Sequence, residues 1–412
     1  MEFIADFHIH SKYSRATSKD MDVAHIAEWA KLKGITLMGS GDFTHHLWLE
    51  ELKHNLEDLG NGLFKYKDIY FILTAEISSI YSKKGKGYRI HNMVFSPSFK
   101  TTDKINETLS RYGNLASDGR PILGMDAQEL ARIIFDIDEN CMIVPGHIWT
   151  PWFSLFGSMS GFDRIEDCFE EQTSKIFALE TGLSSDPGMN WQLSALDKFT
   201  LVSNSDSHSP SKIGREANVF DCDLNYKTIR EVLKTKDKRR FLYTIEFFPE
   251  EGKYHFDGHR VCGIRFSPKE TKQNHGRCPK CSKPVTVGVM NRVEQLADRP
   301  EGYIPSNAIS YKNLIPLDEI IAEAKGVTKS SVAVERDYRS VVAKFGTEFE
   351  ILLRAPKEEL LKSLPPRVAE GVLRMREGKV NIKAGFDGEY GIISIFGDEE
   401  KSPEGERQLS LF

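Results

Sequence analysis

Short apolar runs alternate with amphipathic stretches through the first 245 residues or so. The runs at 2–10, 35–41, 69–75, 88–95, 141–146, 176–179 and 201–205 have strand length, which predicts buried strands. Helical periodicity fills the gaps. Val23, Ile26, Ala27 and Ala30 fall at i, i+3, i+4 and i+7, and Leu47, Leu49, Leu52, Leu56 and Leu59 mark a second stretch. Asp126 opens a third as a capping-box variant, with Leu130, Ile133 and Ile134 on the buried side. This alternation predicts an α/β fold, a mostly parallel sheet with helices outside it, arranged as a barrel or, as the competing arrangement, a doubly wound open sheet.

The chemistry lies where the apolar runs stop. The first ends in His8-Ile9-His10, whose imidazoles share a face because strand side chains alternate. Later runs lead to Asp42, with His45 and His46 just beyond, to Glu76, to His147, to Glu180 and to Asp206-Ser207-His208; His91 is carried within the run at 88–95. Imidazole is the commonest metal ligand, and strand C-terminal ends are where barrels of this class build their sites. We therefore assign His8, His10, Asp42, Glu76, His91, His147, Asp206 and His208 to metal coordination. His8, His10, Glu76 and Asp206 form the catalytic core, and Glu76 is the candidate bridge between ions. His45 is a further candidate ligand; Glu180 is a ligand, an outer-shell group or a cap for the following loop.

From about Glu246 the composition changes. Residues 247–252 read as a linker or long loop, followed by His259-x-x-Cys262, fifteen residues, and Cys278-x-x-Cys281. Two such pairs fold as knuckles around one tetrahedral ion, which predicts a structural zinc on His259, Cys262, Cys278 and Cys281; His255 and His275 are the alternative histidines. Past Pro316 the pattern is helical, with Leu317, Ile320, Ile321 and Ala324, then 332–345, then a pair of helices around Pro365-Pro366, and a closing hairpin at 378–386 and 390–396. Between Lys362 and Lys383 six Lys or Arg face two Glu, a local excess that suits a phosphate backbone or a solvated helix face. The polar stretch 398–407 predicts disorder and ends in Gln408-Leu409-Ser410-Leu411-Phe412, an apolar plug on a tether that suits a groove in a partner.

Length and composition narrow the classes. A chain of 412 residues with 40% hydrophobic and 28% charged residues is an ordinary soluble protein with room for two or three domains. Six cysteines are too few for a disulfide framework, and a net charge of -5 argues against a protein that coats nucleic acid. No run approaches a membrane span and no signal peptide is recognisable, so a cytoplasmic protein with no membrane partner is expected.

The ordered set His8/His10, Asp42, Glu76, His91, His147 and Asp206/His208 resembles the PHP family of metal-dependent phosphoesterases. Gly41-Asp42-Phe43 departs from the Thr-Asp-His of many members, so the family's histidine there is absent, and His45 is its possible substitute. Together with Gly258 to Gly263, Cys278-Pro279-Lys280-Cys281 and Arg292 to Pro300, nearly the whole chain resembles the endonuclease Q branch of that family. The resemblance implies a distorted (β/α)7 barrel at 1–246, a zinc-binding domain at 247–305, a mainly helical, DNA-binding domain at 306–397 and a tail at 398–412. It implies two or three divalent metals, zinc, manganese or magnesium, in the barrel. The activity it implies is incision of DNA on the 5′ side of uracil, hypoxanthine, xanthine or an abasic site by a metal-activated hydroxide. It further implies that Gln408 to Phe412 binds the bacterial β sliding clamp, placing the protein on the nucleoid.

A lesion-selective nuclease must extrude its base. Trp149, Trp152 and Phe153, just past His147, are candidates to stack on it, with core packing as the alternative; Lys84, Lys86 and Arg89 are candidate phosphate contacts. A small-molecule phosphatase would leave the zinc knuckle, basic domain and tail without purpose. A clamp-tethered scaffold would have lost its ligands.

Overall fold

The computed structural model describes residues 1–397. The tail and its pentapeptide, Gln408 to Phe412, lie outside the described residues.

Nine strands of the first 246 residues matter for the site: β1 (Glu2–Asp6), β2 (Leu37–Gly39), β3 (Ile69–Lys83), β4 (Lys86–Ser96), β5 (Met142–Pro145), β6 (Ala178–Glu180), β7 (Thr200–Val202), β8 (Ala217–Asp221) and β9 (Phe241–Glu246). β1, β2 and β3 pair in parallel, as do β6 and β7. The expected mostly parallel sheet is nevertheless mixed. No helix separates β3 from β4, which form a long hairpin turned at Lys84 and Gly85 (φ +52° and +81°), and β4 runs antiparallel to β5 as well. Glu76 is thus mid-strand in β3, not at a strand end, and faces Met93 across the hairpin.

Strand alternation places two apolar sets on opposite faces. Phe3, Ala5, Phe7, Leu37, Ile72, Met93, Phe95, Met142, Val144, Ala178, Val202 and Phe220 form one buried cluster, so strands from β1 to β8 surround a common interior. Ile4, Met38, Phe71, Leu73, Ile143 and Leu179 face the other way, into the cluster shared with the helices. The helix at Val23–Lys33 buries the expected stripe, is capped by Asp22 accepting from the His25 amide, and ends at Gly34 with φ +92°. Asp126 caps Ala127–Ile137 through the Glu129 amide, while the Glu129 side chain pairs with Arg132 instead of closing a capping box.

Beyond residue 246 an antiparallel hairpin (Asp257–His259 with Ile264–Phe266) carries His259 and, in its turn, Cys262. A tenth strand, β10 (Ser310–Asn313), pairs in parallel with the edge of β9, so the expected helical domain begins as part of the first domain's sheet. Helices at Leu317–Lys325, Val332–Phe345, Lys357–Ser363 and Pro366–Arg376 and the hairpin Asn381–Lys383 with Ile392–Ser394 follow the sequence pattern. A buried cluster seals this region to the first helix: Lys33 Nζ lies 2.6 Å from Glu348, which also accepts from Tyr338 Oη and the Leu317 amide. Much of the basic stretch is engaged in packing. Arg376 donates to the carbonyls of Ile351, Leu352 and Ala355, and Arg367 and Arg374 lie over Phe396. No helix among the described residues is long and apolar enough to cross a membrane.

Candidate metal centre

β1 stops at Asp6, whose carboxylate accepts from the amides of His8, Ser205 and Gly214 and so ties the end of β1 to the chain after β7. His8 and His10 then project beyond the sheet. His8 Nε2 lies 3.6 Å from Glu76 Oε2 and 3.7 Å from Asp206 Oδ1; His10 Nε2 lies 3.3 and 3.1 Å from the same oxygens. His8 Nε2, His10 Nε2 and Asp206 Oδ1 are buried with no hydrogen-bond partner. Such atoms are rare because each forfeits its hydration, and three aimed at one point fit a divalent cation.

Glu76 faces two ways. Its Oε1 lies 2.6 Å from His91 Nδ1 and 3.1 Å from His147 Nε2, while Oε2 faces His8 and His10. Three groups of ligand atoms therefore meet: His8, His10 and Glu76; Glu76, His91 and His147; and His10, Asp206 and His208. The carboxylate common to the first two suits a bridge between ions, as its mid-strand position allows.

Carboxylates behind the imidazoles aim them. Both Glu180 oxygens lie 3.0 Å from His8 Nδ1, and Asp42 Oδ1 lies 3.0 Å from His10 Nδ1. Each is placed to accept the Nδ1 proton, so that a cation would meet the Nε2 side of the ring. Asp42, expected as a ligand, instead stands behind His10, with its other oxygen filled by the Ser11 amide and the hydroxyls of Ser11 and Ser14. Glu180 likewise joins none of the three groups and faces His8 from the Nδ1 side. His45 joins none of the three groups; its ring stacks on Tyr13 and His46 at 4.6 and 5.2 Å.

The charges respond to this crowding. Burial works to raise the Glu76 and Asp206 carboxyls, but the surrounding imidazoles hold both below the ordinary carboxylate range. Burial likewise opposes protons on His8 and His10, and the neighbouring carboxylates overcome it. Burial pushes His91 down to about 4, helped by the charges of His147 and Arg120. Arg120, in a loop without periodicity and therefore missed by sequence pattern, reaches Glu76 Oε2 at 3.1 Å.

Of the expected lesion contacts, Trp149 is a core residue: it is 1% exposed and donates through Nε1 to Asn190. Phe153 packs against His91 with ring centres 4.9 Å apart and planes tilted by 43°, under the Arg89 guanidinium. Trp152, 40% exposed, lines a cavity of about 690 Å³. The loops after His147, Glu180 and His208 supply one wall (Thr150, Trp152, Leu183, Lys212, Arg215), and Phe247 to His255 supply another. Lys86 is engaged with the Gly161 carbonyl, and Lys84 stands exposed at the hairpin turn.

Away from this centre, His259, Cys262, Cys278 and Cys281 bring their ligand atoms within 4.8 Å of one another. His259 therefore joins the cysteines; His255 is buried beside the cavity, and His275 is not in the group. Three sulfurs and one imidazole are the donor set of a closed tetrahedral site.

A family model described as the MJ0043 C-terminal domain matches residues 316–379. Over 269 residues, 63% of the chain, the sequence is 35% identical to the uncharacterized protein MJ0043 of Methanocaldococcus jannaschii, and spans 33% of that relative's length. The uncharacterized protein YqxK of Bacillus subtilis is 29% identical, covering 94% of this chain and 98% of its own. Among solved structures, the lesion-specific endonuclease PfuEndoQ of Pyrococcus furiosus superposes with a TM-score of 0.87 at 31% identity over 99% of both chains. Endonuclease Q in complex with a 27-mer duplex carrying an abasic lesion at the active site gives 0.83 at 32% identity, over 98% of this chain and 100% of the other.

Proposed function

The chain belongs to the endonuclease Q family, and from that premise we propose that it incises DNA on the 5′ side of deaminated bases (uracil, hypoxanthine, xanthine) and abasic sites. The observation that carries this reading is the convergence of three partnerless buried atoms, His8 Nε2, His10 Nε2 and Asp206 Oδ1, beside a carboxylate that also faces His91 and His147.

These residues and His208 would hold two or three divalent ions, zinc, manganese or magnesium. Such ions, when bound, supply Lewis acidity and an ionised water near pH 7. Glu76 fixes the separation of the two ligand groups it joins, and Asp42 and Glu180 fix the ring planes of His10 and His8. Arg120 places a positive charge where the scissile phosphate arrives. The cavity lined by Trp152 takes the extruded nucleotide; its volume is ample for one, and its wall is built from the loops that carry His147, Asp206 and His208.

We assign 1–246 to a PHP-type barrel, 247–305 to a domain closed by a structural zinc, and 306–397 to a mainly helical domain that contacts DNA. The Gln408 to Phe412 pentapeptide is the β-clamp ligand. End-labelled duplexes with one uracil, hypoxanthine or abasic site, incubated with and without chelator, test the activity. Incision 5′ to the lesion that chelator abolishes is expected, and absence of cutting on every lesion overturns the reading. Deleting Gln408 to Phe412 should abolish clamp association and spare incision of free oligonucleotides; loss of both would assign the tail to the fold.

A further inference from the structure

Thr150 stands between the cavity and the metal ligands. Its hydroxyl has one hydrogen, placed for the Trp152 carbonyl at 2.8 Å and, at the longer distance of 3.4 Å, for the His147 carbonyl. The same oxygen lies 3.1 Å from Nδ1 of His147. An oxygen whose hydrogen is committed elsewhere can only accept, so His147 keeps its proton on Nδ1 and turns the Nε2 lone pair towards Glu76 Oε1 and His91 Nδ1, each 3.1 Å away. Thr150 and Trp152 are also cavity wall.

The segment is held from behind. His147 has φ +28°, its amide donates to Glu180 Oε2 at 2.8 Å, and a Cβ on Gly182 would come within 2.4 Å of the His147 Cβ. With its backbone so fixed, the remaining freedom of His147 is the rotation and tautomer of its ring, and Thr150 governs both. The bond that sets Thr150, to Trp152, is on the exposed side of the wall, where a water that donates to the carbonyl in its place frees the hydroxyl to turn towards Nδ1.

We propose that Thr150 is a positioning residue that couples an extruded nucleotide in the cavity to metal affinity at Glu76, His91 and His147. The inference rests on reading the cavity as the nucleotide pocket. A nucleotide against the Thr150–Trp152 segment excludes the competing water, keeps the hydroxyl on the Trp152 carbonyl and so keeps His147 in its ligating tautomer. Linkage then requires the metal to tighten lesion binding by the same factor. An undamaged duplex, with nothing extruded, lacks this contribution, although its phosphates still meet the ions.

The test is Mn²⁺ affinity of the full chain, read from free Mn²⁺ by electron paramagnetic resonance. It is measured alone, with an undamaged duplex, and with an abasic duplex whose scissile linkage is a non-hydrolysable methylenephosphonate. In the wild type the abasic duplex should tighten Mn²⁺ more than the undamaged one does. Thr150→Val should weaken Mn²⁺ binding by the protein alone roughly ten- to hundredfold and erase the difference between duplexes, while Thr150→Ser restores both. Wild-type Mn²⁺ affinity with an undiminished duplex difference in Thr150→Val overturns the proposal. So does an abasic duplex that binds preferentially without extra Mn²⁺ tightening in the wild type, a comparison that decides even where Thr150→Val does not fold. An abasic duplex that binds no better than the undamaged one overturns the functional reading instead.

Discussion

Glu180 separates two accounts of the centre, and Glu180→Gln decides between them. The carboxylate is fully buried, and each oxygen accepts from a second donor besides His8: Oε1 from Asn204 Nδ2 and Oε2 from the His147 amide, both at 2.8 Å. Glutamine keeps the volume, but either orientation of its amide sets a donor against a donor. One buried N–H then loses its acceptor, at a cost of about 1–3 kcal/mol in folding stability. The lost negative charge also weakens the hold on the His8 Nδ1 proton. As an outer-shell partner, Glu180 should contribute roughly 10- to 100-fold to metal affinity, about 1.4–2.7 kcal/mol. Calorimetric Mn²⁺ titration should show that loss, and single-turnover incision should recover towards wild type as Mn²⁺ is raised. Wild-type metal affinity in Glu180→Gln would refute the positioning role. Incision that no metal concentration restores, with one ion fewer per chain, would make Glu180 a direct ligand.

Three further changes probe other parts of the chain. Arg120→Gln removes the cation beside Glu76 Oε2 and should lower the single-turnover rate about hundredfold with metal stoichiometry intact; an unchanged rate assigns Arg120 to charge balance alone. Cys281→Ser should release one zinc per chain by mass spectrometry while leaving Mn²⁺ binding at the other centre, and retention of that zinc would place it elsewhere. Burial, with the charge of Asp186 added, pushes the Glu246 carboxyl up to about 8, and burial beside Glu246 raises Glu216 as well. A carboxyl raised on folding binds its proton more tightly in the native state, so the wild type loses stability as pH climbs from about 4.5 through 8. Glu246→Gln lacks that titration, and its melting temperature should gain on the wild type between pH 6 and 9; a pH-independent difference would show that Glu246 is ionised throughout.

The cluster of candidate ligands was legible because a change from apolar to ionisable residues inside a buried run has few structural excuses. Burying His8, His10, Glu76 and His91 costs too much unless something receives them. The same signal misplaced the strand ends: β3 continues through Ile77 and Ser79 past Glu76, since alternation, not an end of pairing, put the carboxylate on the inner face. What the sequence could not carry is which atom of a group meets which. Asp42 and Glu180 have the composition of ligands, but each lies behind one imidazole with its oxygens taken up by Ser11 and Ser14, or by Asn204 and the His147 amide, whereas Glu76 stands among His8, His10, His91 and His147. Trp149 and Trp152 lie three residues apart in one segment, and the distinction between core and cavity wall rests on Asn190, supplied by a later turn. β10 reads as polar loop, Ser-Tyr-Lys-Asn, and becomes a strand because the open edge of β9 offers it backbone partners. Function in this fold is therefore written in residue type, while the division between binding an ion and aiming its ligand is written in contacts between segments far apart in the chain.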